Sequence, residues 1–87
     1  KGGLNSVTKG LAIEYASKGI RVNTIAPGIV DTPMHDRSHH ESLKHLHPIH
    51  RLARVEEIVD AALFLARASF ITGEVLYVDG GAHAGKW

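Results

Sequence analysis

The sequence predicts an α/β fold, and three observations carry that expectation. Residues 1–18 and 54–68 repeat apolar positions at helical spacing. Residues 20–26 and 74–79 are short, β-rich runs. The order is helix, strand, long insertion, helix, strand. Strand, helix and strand in succession form a βαβ unit, which implies parallel strands joined by a right-handed crossover. Two such strands leave two open edges, so the predicted unit is incomplete on its own.

The first helix rests on Leu4, Val7, Leu11, Ala12 and Tyr15, spaced i, i+3, i+7, i+8 and i+11. Lys18-Gly19 supplies a basic last turn and a glycine stop. Ile20, Val22 and Ile25 make the next run mostly apolar, which suits a parallel strand buried between helices. Pro27-Gly28 ends it. Residues 27–53 are a turn and a polar insertion, with six of the seven His between His35 and His50. A short helix over residues 38–46, capped by Ser38 with Glu41 three residues on, is the only regular element expected there. The second helix has Val55, Ile58, Ala62, Leu65 and Ala66 in one stripe, widened by Val59 and Leu63. Glu56 and Glu57 in its first turn and Arg67 in its last suit the helix dipole. Ile71-Thr72-Gly73 reads as a turn, and Asp79-Gly80-Gly81 ends the last strand.

Composition narrows the functional classes. A chain of 87 residues makes at most one small domain with a marginal core. Hydrophobic content of 44% and charged content of 22% are those of a soluble globular protein. A net charge of +1 without a Lys/Arg run gives no case for nucleic acid or an anionic membrane. No apolar run approaches the ~18 residues of a membrane span. The lack of Cys excludes disulfides and thiolate metal sites and fits a cytoplasmic protein. A first residue of Lys inside a helical pattern suggests a fragment.

Four motifs occur in order along the chain. They are Lys1-Gly2-Gly3-Leu4, then Arg21-Val22-Asn23-Thr24-Ile25-Ala26-Pro27-Gly28, then Thr32-Pro33-Met34, then Ile71-Thr72-Gly73-Glu74-Val75-Leu76-Tyr77-Val78-Asp79-Gly80-Gly81. Together they resemble the C-terminal third of short-chain dehydrogenase/reductases over the whole length. The resemblance implies the C-terminal part of a doubly wound, Rossmann-like parallel sheet, with residues 1–87 inside a single domain. It implies a parent enzyme that transfers hydride between NAD or NADP, with no preference legible, and an alcohol/carbonyl small molecule. The expected partners are the remainder of the parent domain and further copies of the parent, as a dimer or tetramer.

By this resemblance Lys1 is the catalytic lysine of a Tyr-x-x-x-Lys pair and also contacts the nicotinamide ribose. Residues i and i+4 share one helix face, where an ammonium favours a tyrosinate. The tyrosine would precede residue 1, so the 87 residues alone are expected to be inactive. Pro27, Gly28, Ile29, Val30 and Thr32 are the implied nicotinamide-side contacts. Met34 and His35 are candidate substrate contacts in the mobile flap that the insertion resembles. Its polar, basic character hints at a polar or anionic substrate.

Other patterns carry weaker readings. Tyr15-Ala16-Ser17-Lys18 is one residue short of the catalytic spacing and runs into a glycine, so Tyr15 is expected to pack. Asn23 is expected to be a buried hydrogen-bonding residue. His40 and His45 are five steps apart, which puts them about 140° apart on a helix and off a common face. His35 and His39, at i and i+4, could chelate, but no carboxylate partner stands at ligand spacing, so no metal site is assigned. The cluster is expected to be solvated or to face substrate. Two further readings stay open, a non-catalytic interaction or oligomerisation fragment and a His-rich metal-binding segment. The tail from His83 to Trp87 could reach a neighbouring subunit or be exposed.

Overall fold

The computed structural model describes residues 2–32 and 43–85. Helix α1 spans Gly2–Ala16, strand β1 Thr24–Pro27, helix α2 Val55–Arg67 and strand β2 Val75–Val78. Single 3-10 turns occupy Lys44–Leu46 and Ala82–Ala84. Of the helix expected over residues 38–46, only residues 43–46 lie within the described residues: Leu43 is α-helical and Lys44–Leu46 is this 3-10 turn.

β1 and β2 pair in parallel, with Thr24 opposite Val75 and Pro27 opposite Val78. The ladder starts later than the apolar run at residues 20–26 suggests. Upstream, the Gly73 amide still donates to the Val22 carbonyl at 2.8 Å, and side chains supply the other bonds. Thr72 Oγ1 accepts from the Val22 amide at 3.1 Å. The Asn23 amide group donates to the Ile71 carbonyl at 3.0 Å and accepts from the Glu74 amide at 3.0 Å. Asn23 is therefore a half-buried splice between the two strands' approaches, in line with the hydrogen-bonding role expected of it.

Alternation along β1 sends neighbouring side chains to opposite faces. Thr24 Oγ1 lies 2.7 Å from Thr8 Oγ1 of α1. Ile25 lines a cleft with Ala62, Leu65 and Ala66 of α2. The two helices thus cover the two faces of the sheet, as a buried parallel strand requires.

The face that α1 turns inward is not the expected large-residue stripe. Thr8, 2% exposed, and Ala12 are its buried residues, while Leu4, Val7 and Leu11 are exposed. Small side chains let the helix sit close, and Thr8 satisfies its hydroxyl on the Leu4 carbonyl at 2.8 Å. Tyr15 is half-buried with the Lys18 ammonium 5.4 Å from its ring centre, a packing residue as expected. In α2, Leu65 is buried and Ile58 and Ala61 are half-buried, but Val55, Val59 and Leu63 are exposed. A two-stranded sheet is too narrow to cover the whole apolar width of either helix. Among the described residues the buried apolar core reduces to Ala12, Leu52 and Leu65.

The first turn of α2 is satisfied locally and its last turn by a distant side chain. The Arg54 amide donates to Glu57 Oε1 at 2.8 Å, which fixes the first turn. At the other end the Arg21 guanidinium donates to the Leu65 and Ala66 carbonyls, both at 2.8 Å. A cation there complements the negative end of the helix dipole.

Candidate functional site

Parallel pairing brings the C-terminal ends of both strands to one edge, the position where open α/β sheets bind ligands. The chain leaves β1 through Gly28 and leaves β2 through Asp79-Gly80-Gly81. The Gly28 amide donates to the Val78 carbonyl at 3.0 Å and extends the ladder into the turn.

The returning end of the insertion lies across both turns. Ala53 donates its amide to the Ile29 carbonyl at 3.0 Å, and its own carbonyl accepts from the Asp31 amide at 2.8 Å. This makes an isolated parallel bridge between Val30 and Ala53. The Ile49 amide donates to the Gly80 carbonyl at 3.1 Å. At Gly80 the backbone is left-handed, with φ 60°, and a Cβ would stand 2.6 Å from Ile49 Cγ2.

His47 occupies the centre of this arrangement and is 3% exposed. Its Nε2 accepts from the Ile29 amide at 3.0 Å. An acceptor at Nε2 puts the ring proton on Nδ1, which donates to the Arg51 carbonyl at 2.7 Å. The expectation of solvated or substrate-facing histidines therefore fails at His47. Two backbone partners offset its burial. A Cβ on Gly28 would lie 2.6 Å from that Nε2 and 2.9 Å from the Asp79 Cα. Glycine at this position thus answers to close approach inside the chain.

A second polar group sits beside it. Asp79 is buried, and its carboxylate accepts from the Gly81 amide at 3.1 Å and the His83 amide at 3.0 Å. His83 Nδ1 lies 3.0 Å from Oδ1, and the His83 ring stacks on Tyr77 with centroids 4.2 Å apart. Burial pushes the Asp79 carboxyl up, but the His83 ring and the two amides hold it below its ordinary value. The start of the tail is thus folded back onto β2.

Of the residues expected at a cofactor site, Pro27, Gly28, Ile29, Val30 and Thr32 lie in one segment leaving β1. The amides of Gly28 and Ile29 are committed within the chain. Lys1, Met34 and His35 lie outside the described residues, as do His39 and His40. Among the described residues no group of three or more His, Asp or Glu could hold a metal. No described helix is long and apolar enough to cross a membrane.

Sequence reasoning missed His47 and the Asp79–His83–Tyr77 group. The i, i+4 spacing of Asp79 and His83 was a usable signal. His47 had none, because its partners are backbone groups brought together only by the fold.

Fold and sequence now define the class. A family model described as Enoyl-(Acyl carrier protein) reductase matches residues 1–83. The chain belongs to the short-chain dehydrogenase/reductase family. It is 50% identical over 88 residues to the uncharacterized oxidoreductase YmfI of Bacillus subtilis, covering 95% of this chain and 36% of that protein. It is 49% identical over 87 residues to the 3-oxoacyl-[acyl-carrier-protein] reductase FabG of Chlamydia trachomatis, covering 93% and 35%. The solved structure of ElxO with NADP bound superposes with a TM-score of 0.84 at 34% identity, covering 94% of this chain and 36% of that one. The chain thus spans little more than a third of the length of these relatives. Its two-stranded parallel sheet is the matching part of their Rossmann-like fold, as the motifs led one to expect.

Proposed function

We propose that this chain is part of an NAD(P)-dependent oxidoreductase that transfers hydride between nicotinamide and an alcohol/carbonyl small molecule. One observation carries the reading. In a chain of this family, the Pro27-Gly28 turn stands where two parallel strands end, and it is held rigid by backbone and histidine bonds. The residues present fit a nicotinamide group. Gly28 and Ile29 frame the turn, and Val30 and the half-buried Thr32 follow it with a backbone and a hydroxyl suited to a carboxamide.

When bound, the dinucleotide gives or takes the hydride. The turn of Pro27, Gly28, Ile29, Val30 and Thr32 orients the nicotinamide end, and rigidity there lowers the cost of alignment. By the family's Tyr-x-x-x-Lys pattern, Lys1 pairs with a tyrosine expected four positions before it. Its ammonium favours the phenolate, so the phenol can move the proton of the substrate oxygen near neutral pH. Met34 and His35, on the insertion, contact the substrate. The parent acts as a cytoplasmic homo-oligomer, a dimer or tetramer.

The test compares the full-length protein that contains this chain with the 87 residues alone. Carbonyl-dependent oxidation of NADH or NADPH is expected from the former, with a loss of at least about a hundredfold in the Lys1→Ala variant. A full-length protein that binds neither dinucleotide would overturn the reading. The isolated chain is expected to bind no dinucleotide at micromolar concentration and to turn nothing over. Either activity in it would refute the inactivity of the fragment.

A further inference from the structure

We propose that His47 is a positioning residue for the nicotinamide-side turn, acting through the backbone amide of Ile29. The inference rests on the functional reading above and adds a residue to it. Within the turn, Gly28 is tied to β2 through the Val78 carbonyl at 3.0 Å. Beyond Gly28, the chain departs from the sheet, and the first amide there has no strand to pair with. His47 Nε2 meets that amide at 3.0 Å. The ring is held from its other side by the Arg51 carbonyl, 2.7 Å from Nδ1. Its surroundings leave it little freedom, because it is 3% exposed and packs against Gly28 and Gly80.

The bond does more than satisfy a donor. Each peptide unit is planar, so a bond to its N–H or its carbonyl restrains the whole unit. The unit before Ile29 is held through its N–H by His47, and the unit after it through the Ile29 carbonyl by the Ala53 amide at 3.0 Å. Both partners belong to the returning end of the insertion, residues 43–53. The direction in which Val30 and Thr32 leave the turn is therefore set by the base of the flap. His47 touches neither substrate nor cofactor in this scheme. It aims the groups that do, and it makes the flap's base and the nicotinamide end one mechanical unit.

The test uses the full-length protein and two variants with different reach. His47→Asn can still donate toward Arg51 but is too short to accept from Ile29. His47→Gln carries a carbonyl oxygen at the distance of Nε2 and can accept that bond. Affinity is measured for NADH and NADPH, and for ADP-ribose and its 2′-phosphate, which carry the adenine end without nicotinamide. An unsatisfied buried amide costs on the order of a tenfold change in an equilibrium constant. The expected result is that His47→Asn weakens the dinucleotide about tenfold, leaves the ADP-ribose ligand within about twofold, and that His47→Gln recovers most of the loss. Equal weakening of both ligands, no weakening of either, or a Gln variant as poor as Asn would each overturn the proposal. A variant that unfolds loses both ligands together and overturns it too, because His47 would then serve stability alone. Failure of the unsubstituted protein to bind any dinucleotide is a separate outcome that removes the functional reading itself and the proposal with it.

Discussion

His83 Nδ1 lies 3.0 Å from Asp79 Oδ1 and binds the carboxylate that ends β2 to the residue four positions further on. An ionised carboxylate only accepts, so the imidazole donates from Nδ1. With the Gly81 and His83 amides, three donors converge on one buried side chain. Tyr77 closes the group by stacking on the ring at 4.2 Å.

A pH-dependent stability follows from this group. Asp79 is held below its ordinary value of 3.8, so the fold favours its ionised form. A carboxyl lowered in the folded state adds stability above its unfolded pKa and loses it as pH falls through the folded value. Asp79→Asn in the full-length protein is expected to cost about 1–2 kcal/mol at pH 7. The gap between variant and parent should shrink below pH 3.8. Urea unfolding across that range checks it, and a gap constant with pH would contradict it.

Glu57 makes a second, exposed electrostatic device at the start of α2. Arg51 donates to both its oxygens at 2.8 Å, and the Arg54 amide adds a third bond at 2.8 Å. The Arg51 hydrogen bonds first, then the Arg54 amide, bring its carboxyl from 4.5 down to about 2. The sign again places the stabilisation above pH 4.5, with loss as the pH approaches 2. In Arg51→Met the Glu57 pKa is expected to return most of the way to 4.5, held back by the Arg54 amide. Carboxyl carbon shifts followed by NMR titration measure this directly. A value still near 2 in the variant would assign the effect to the helix terminus instead.

How legible this was in the sequence depends on which kind of bond carried each feature. The two helices, the parallel pair and the Asp79-Gly80-Gly81 turn follow from periodicity and turn residues, which are local signals. Which face of each helix is buried does not follow from the apolar stripe alone. Leu4, Val7 and Leu11 are exposed while Thr8 is buried, because the narrow sheet admits the small-residue face of α1. β1 starts later than the apolar run because the pairing upstream mixes one backbone bond, from Gly73 to Val22, with side-chain bonds from Asn23 and Thr72. Pro27 and Gly28 end the first strand, as their residue types predict, but the partner of that turn, His47, is hidden among histidines with no pattern of their own. Its two bonds join segments 18 and 4 residues away to one ring, and only the folded chain supplies that meeting.

Gly28 gives the sharpest test of that meeting. A methyl group there would stand 2.6 Å from His47 Nε2 and 2.9 Å from the Asp79 Cα. The ring could rotate away, but only by giving up the Ile29 amide or the Arg51 carbonyl. The Asp79 contact is backbone of β2's end and cannot swing aside. Gly28→Ala should therefore separate the turn from the β2 terminus and cost about 1–3 kcal/mol, the range for overpacking a tight site. Thermal unfolding of the full-length protein measures the loss. His47→Asn, with a shorter side chain, removes one of the two clashes, so the double variant should cost less than the two single costs added together. Strict additivity would mean that the methyl group is opposed by Asp79 alone, and that the imidazole gives way without cost.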